Sequence, residues 1–137
     1  MTTKSNLTLV KKIYEAFGEG DIPKVLEMLD HNIQWRIIGP SDCPFFGTFS
    51  GHKGFHKFLD QLGNAADIHT FEPKRFLEAG NAVVVTGIET ATTKNTKISY
   101  TTEWCHIFTV EGEKVVSFEE YLDSAPLVAA YDNREGA

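Results

Sequence analysis

The chain has 137 residues, 42% of them hydrophobic and 23% charged, with a net charge of -6. This length and balance suit one folded domain with its own core, read here as residues 1–137. The acidic balance argues against a nucleic-acid partner, and apolar runs such as "AVVV" fall far short of the ~20 residues of a membrane helix.

"NLTLVKKIYEAFGEGD" places Leu7, Val10, Ile13, Tyr14 and Phe17 at helical steps, so a first helix buries one face and stops at Gly18 and Gly20. Asp21 is the natural cap of a second helix, with Val25, Leu26 and Leu29 on its inner side. "NIQWRII" alternates as a strand, with Ile33, Trp35 and Ile37 on one face. Residues 39–51, "GPSDCPFFGTFSG", read as an irregular loop. Its Phe45, Phe46 and Phe49 imply that it folds over something apolar, and Asp42 and Cys43 ride on it. A third helix over about 52–63 buries Phe55, Phe58, Leu59 and Leu62.

The second half reads as strands over about 69–79, 82–93, 97–110 and 114–122, with "EGEK" as a hairpin turn. "DSAPLVAAYD" closes the chain as a short helix capped by Asp123 or Ser124. The class is α+β with a mostly antiparallel sheet. "MTTKSN" carries no signal-peptide core, so a cytoplasmic location is expected, with Cys43 and Cys105 as free thiols. His52 and His56 form an i, i+4 pair, but no acidic ligand stands at a matching offset. No metal and no cofactor is expected.

The helix pair joined by "GEGD", the "NIQW" strand, the "GP...PFFGTFSG" loop, "TEWCHIFTVEGEKVVSF" and "EEYLDSA" appear in an order that resembles the nuclear transport factor 2-like superfamily. Within it, the chain resembles the SnoaL-like branch related to ketosteroid isomerase. The resemblance implies a cone-shaped α+β barrel, a curved sheet wrapped around the N-terminal helices (a cystatin-like roll). It also implies a largely apolar pocket and a homodimer built on the outer sheet face. It does not imply one function, because members include isomerases, cyclases, hydrolases and pockets without known chemistry. Ketosteroid isomerase needs a carboxylate base and two acids that stabilise an enolate. The family register puts Ile13, Ile37 and Cys105 at those three places, so steroid isomerisation with the usual residues is rejected. An Asp-Arg-Asp hydrolase set also fails, since no Arg lies between 97 and 123.

The same register turns Glu103 and Cys105 on one strand, and Phe118 and Glu120 on the next, toward the pocket. Glu120 and Glu103 are then the candidate acid and base, because a carboxyl in an apolar cavity has a raised pKa. Trp35 and Tyr14 would orient a ligand among Phe17, Phe46, Phe55, Phe58, Cys105 and Phe118. The opposite face, Trp104, His106, Phe108 and Val110, is the more apolar. Either a dimer partner covers that face, or the register is inverted and His106 belongs to the pocket. The expected ligand is a small hydrophobic, carbonyl-bearing molecule. The expected chemistry is cofactor-independent proton transfer or hydrolysis. The alternatives are a non-catalytic binding module and a dimerisation scaffold filled by its own Phe side chains.

Overall fold

The computed structural model describes residues 5–41 and 43–132; Asp42 lies outside them. Helices α1 (Asn6–Gly18) and α2 (Ile22–Met28) lead into strand β1 (Leu29–Ile38). A short strand β2 (Gly47–Ser50) and helix α3 (Gly51–Ala65) follow. Strands β3 (Ala66–Ala79), β4 (Ala82–Thr93), β5 (Ser99–Glu111) and β6 (Lys114–Leu122) then precede helix α4 (Ala125–Tyr131).

Helices α1, α2 and α4 begin where polar side chains satisfy free backbone N–H groups, whereas the Ser50 side chain makes no such bond at α3. Ser5 Oγ accepts from the Leu7 N–H at 3.0 Å, and Asp21 Oδ1 accepts from the Lys24 N–H at 3.2 Å. At α4 the cap position is Ser124, and Asp123 Oδ1 accepts from the Ala125 N–H at 3.3 Å. The loop expected over 39–51 contains β2, which pairs Phe49 with Trp35 on β1. Phe45 and Phe49 are buried, as the loop's aromatic content predicts. Phe46 lies across Gly39, where any Cβ would collide with its ring.

The six strands form one sheet in the order β2-β1-β6-β5-β4-β3. All neighbours are antiparallel except β1 and β6, which run parallel. β2 and β3 are its two edges, so the sheet curves around the helices without closing. Register shifts in β3 near Ile68/Thr70 and Pro73/Arg75 bend it, as bulges do. The core joins Val10, Ile13 and Ala16 of α1, Phe55 and Phe58 of α3, and the inner rows of the sheet.

On β4 the inner row is Val83, Val85, Gly87, Glu89, Ala91 and Thr93, all buried. A Cβ on Gly87 would stand 2.3 Å from both the Glu72 carbonyl oxygen and Cζ2 of Trp104. The carbonyl belongs to a paired neighbouring strand and cannot yield easily. Gly87→Ala is expected to cost about 1–3 kcal/mol, the scale of overpacking, measured by urea denaturation. An unchanged midpoint would show that the strands part freely there.

One bulge decides which face of β5 looks inward. The turn at Gly112 and Glu113 has positive φ at both residues (57° and 64°), the geometry that continues strand twist. It pairs Glu111 with Lys114 and Val110 with Val115. Counted from that turn alone, Cys105 would oppose Glu120. Instead Thr109 pairs with Ser117, leaving Val116 as an extra residue, and His106 opposes Glu120. A one-residue shift exchanges the two faces of a strand. Tyr100, Thr102, Trp104, His106, Phe108 and Val110 are therefore the buried row. The inward register expected for Glu103 and Cys105 is corrected, and the inverted one holds.

Candidate functional site

Between the concave sheet and helices α1, α3 and α4 lies a cavity of about 420 Å³. Its walls are mostly apolar: Phe17 from α1, Phe58 and Leu62 from α3, Trp35 from β1, Phe118 from β6 and Leu127 from α4. Phe45 and Phe71 complete the aromatic part. The polar exceptions are Tyr14, Glu89, His106 and Glu120.

Three of these four form a hydrogen-bonded chain. Tyr14 Oη lies 2.6 Å from His106 Nδ1, and His106 Nε2 lies 2.9 Å from Glu120 Oε2. An ionised carboxylate can only accept, so Nε2 carries the imidazole proton. With the imidazole neutral, Nδ1 is a lone pair, and the Tyr14 O–H donates to it. The order is Tyr14 O–H to His106, and His106 N–H to Glu120. Burial, then the charge of Glu120, pushes the Tyr14 hydroxyl far above the usual tyrosine range. Tyr14 is thus held protonated, as the donor that this chain needs.

The imidazole is locked by rings as well as by hydrogen bonds. It stacks on Trp104 at 4.0 Å and 19° between planes, and Trp104 stacks on Phe71 at 4.7 Å and 9°. Phe118 meets it edge-on at 4.7 Å. With 6% of its side chain exposed, His106 keeps a single orientation, and Glu120 beside it has 14% exposed.

Glu89 is the residue that the sequence reading missed. It is 8% exposed and borders the cavity from the inner row of β4. Burial, then the charge of Glu120, pushes its carboxyl up to about 8. Its signal was present in the sequence: in "AVVVTGIETATT" it falls in step with Val83 and Val85.

The other expected site residues divide. Glu120, Tyr14, Trp35, Phe17, Phe58 and Phe118 come together around the cavity. Trp35 stacks on Phe118 at 3.7 Å, and its indole N–H is buried without a hydrogen-bond partner among the described residues. Phe55 lies just behind, on a void of about 50 Å³ that it shares with Trp35 and Phe118. Phe46 does not line the cavity. Glu103 and Cys105 lie on the outer sheet face, beside Lys74, Arg75 and Tyr121. The Cys105 thiol is pushed up by partial burial, which works against a reactive thiolate. His52 is tied to the Leu29 carbonyl at 3.1 Å and does not reach the cavity. Among the described residues no group of three His, Cys, Asp or Glu could hold a metal ion, and no helix is long and apolar enough to cross a membrane.

Comparison with known proteins agrees with this architecture. The family model for the SnoaL-like domain matches residues 10–118. An NTF2-like protein from Burkholderia xenovorans LB400 shares 32% identity over 96% of this chain and 99% of that one, with a TM-score of 0.85. An NTF2-like protein of unknown function from Burkholderia pseudomallei K96243 shares 28% over 95% and 99%, also at 0.85. TerC, co-crystallised with polyporic acid, shares the fold at a TM-score of 0.82, with 23% identity over 93% of this chain and 98% of that one. No curated protein matches the chain. With its family model spanning most of the curved sheet and the helices that fill it, the chain belongs to the SnoaL-like family of NTF2-like proteins.

Proposed function

We propose that the domain binds a small hydrophobic, carbonyl-bearing molecule in the cavity and catalyses cofactor-independent proton transfer on it. The observation that carries this reading is the Tyr14–His106–Glu120 chain set in an otherwise apolar wall. A carboxylate held in a fixed orientation on such a wall can act as a general base on a ligand beside it. His106 holds Oε2, which leaves Oε1 of Glu120 to accept a proton from the carbon beside a carbonyl. Returning the same proton to another carbon completes an isomerisation with no external reagent. Tyr14 is a positioning residue: by donating to Nδ1 it keeps the imidazole proton on Nε2, facing the base.

The test uses 2-tetralone, a small apolar ketone with acidic C–H groups, in deuterated buffer. Protein-dependent exchange of its α-protons, followed by NMR, is the expected result. Binding without exchange would instead support a binding module. Tyr14→Phe is expected to slow exchange and to redistribute the His106 tautomers, read from the imidazole nitrogen shifts. Unchanged shifts would remove the positioning role. The homodimer expected from the resemblance is proposed on the outer sheet face, where Tyr121 is 42% exposed, with sedimentation as its test.

A further inference from the structure

The four polar groups of the cavity are not one cluster. Glu120 stands beside His106 on β5, whereas Glu89 stands beside Thr102. Four residues along a strand separate those positions by about 13 Å of backbone. Glu89 and Glu120 are also rooted on strands that flank β5 on opposite sides. The Tyr14–His106–Glu120 chain and Glu89 are thus rooted at different levels of the sheet, although the charge of Glu120 still reaches the Glu89 carboxyl. Glu89 lies on the side of Tyr100 of β5 and Tyr131 of α4, whose hydroxyls feel its charge.

Glu89 has no ion pair and no hydrogen bond among the described residues, although it is more than nine-tenths buried. Its cross-strand neighbours are Phe71 and Thr102. The Thr102 hydroxyl is spent on the Asp123 carbonyl at 2.7 Å. Its carboxyl borders the cavity and forms no hydrogen bond with the described residues, so this stretch of wall marks a place for a polar group of a ligand.

The geometry points to Glu89 as a specificity-determining residue that hydrogen-bonds a second oxygen function of the ligand, at the α4 end of the cavity. The reading rests on the ligand cavity proposed above and names its substrate class: an elongated molecule with a carbonyl at one end and an oxygen acceptor at the other. With its carboxyl pushed up to about 8, Glu89 is neutral at pH 7 and donates its O–H to that oxygen. The titratable groups that face it are Tyr100, Tyr131, Glu120 and, farther along β5, His106. Burial pushes the Tyr100 hydroxyl up and that of Tyr131 to about 12, so both stay neutral while Glu89 titrates.

The test compares 6-methoxy-2-tetralone with 6-ethyl-2-tetralone, which puts a methylene in place of the ether oxygen. Dissociation constants are measured under nitrogen by quenching of tryptophan emission. At about pH 6.5 the methoxy compound is expected to bind on the order of tenfold more tightly, the scale of one hydrogen bond. That preference is expected to vanish at about pH 9.5, where the carboxyl has lost its proton. Glu89→Gln keeps a donor, so it retains the preference without the pH dependence. Glu89→Leu loses the preference at both pH values, with circular dichroism reporting that each variant folds.

Equal affinities in the parent at the lower pH, or a preference that survives in Glu89→Leu, overturns the proposal. Proton exchange is read separately. A Glu89-dependent preference without 2-tetralone exchange sinks the catalytic reading and leaves this one. Exchange without the preference does the reverse.

Discussion

Glu120→Gln is expected to lower the exchange rate of 2-tetralone about 10²–10⁴-fold, the range for a positioned acid or base. The amide is nearly the same size and can still accept from His106 Nε2–H, so the cavity stays intact. It cannot take a proton from carbon. The loss therefore falls on turnover, with the affinity for 2-tetralone unchanged. His106→Gln leaves the carboxylate in place but frees its orientation, so a smaller loss is expected. If Glu120→Gln exchanged as fast as the parent, the hydrogen-bonded chain would be structural and the proton-transfer reading would fail. Glu103→Gln is the matched control, because Glu103 lies on the outer face and should leave exchange unaltered.

The second large effect is on stability and comes from Glu89. In the unfolded chain its carboxyl titrates near 4.5, and in the folded protein near 8. Between those values the unfolded chain has released a proton that the folded chain keeps. Stability therefore falls as pH rises through that window, and levels off above it. At ~1.4 kcal/mol per pH unit, the span is on the order of 5 kcal/mol. Glu89→Gln removes this term. It still buries an amide, which costs about 1–3 kcal/mol where no partner is found. The variant should thus match or fall below the parent at about pH 5 and exceed it at about pH 9. Urea denaturation across pH decides the matter: parallel stability curves for parent and variant would mean that Glu89 titrates normally in the fold.

Much of the architecture was legible because it rests on local periodicity. The apolar steps of α1, the Asp21 cap and the alternation in β4 and β5 each follow from a few neighbouring residues. β2 was hidden because its four residues owe their conformation to pairing with β1 and sit amid glycine and proline. The site was harder, because it depends on register between strands. "TEWCHIF" alternates cleanly, and its more apolar row is the one that turns inward. What the sequence does not display is the unpaired Val116, which shifts β6 by one and sets His106 rather than Cys105 across from Glu120. Glu89 escaped for a different reason. A charged residue in an apolar row looks like a surface position until the cavity that leaves it unpartnered is seen.

The parallel pairing of β1 with β6 has a consequence for how the protein reaches its native state. Tyr14 and His106 are 92 residues apart in sequence, and β1 pairs with β6 across a similarly long stretch, Trp35 beside Phe118. Closing so long a loop is entropically costly, and contacts of that span slow folding. The β3–β6 meander can assemble from neighbouring strands, but the Tyr14–His106–Glu120 chain waits for the N-terminal helix to dock onto it. The Tyr14–His106 hydrogen bond should therefore be among the last contacts to form on refolding, after most of the sheet.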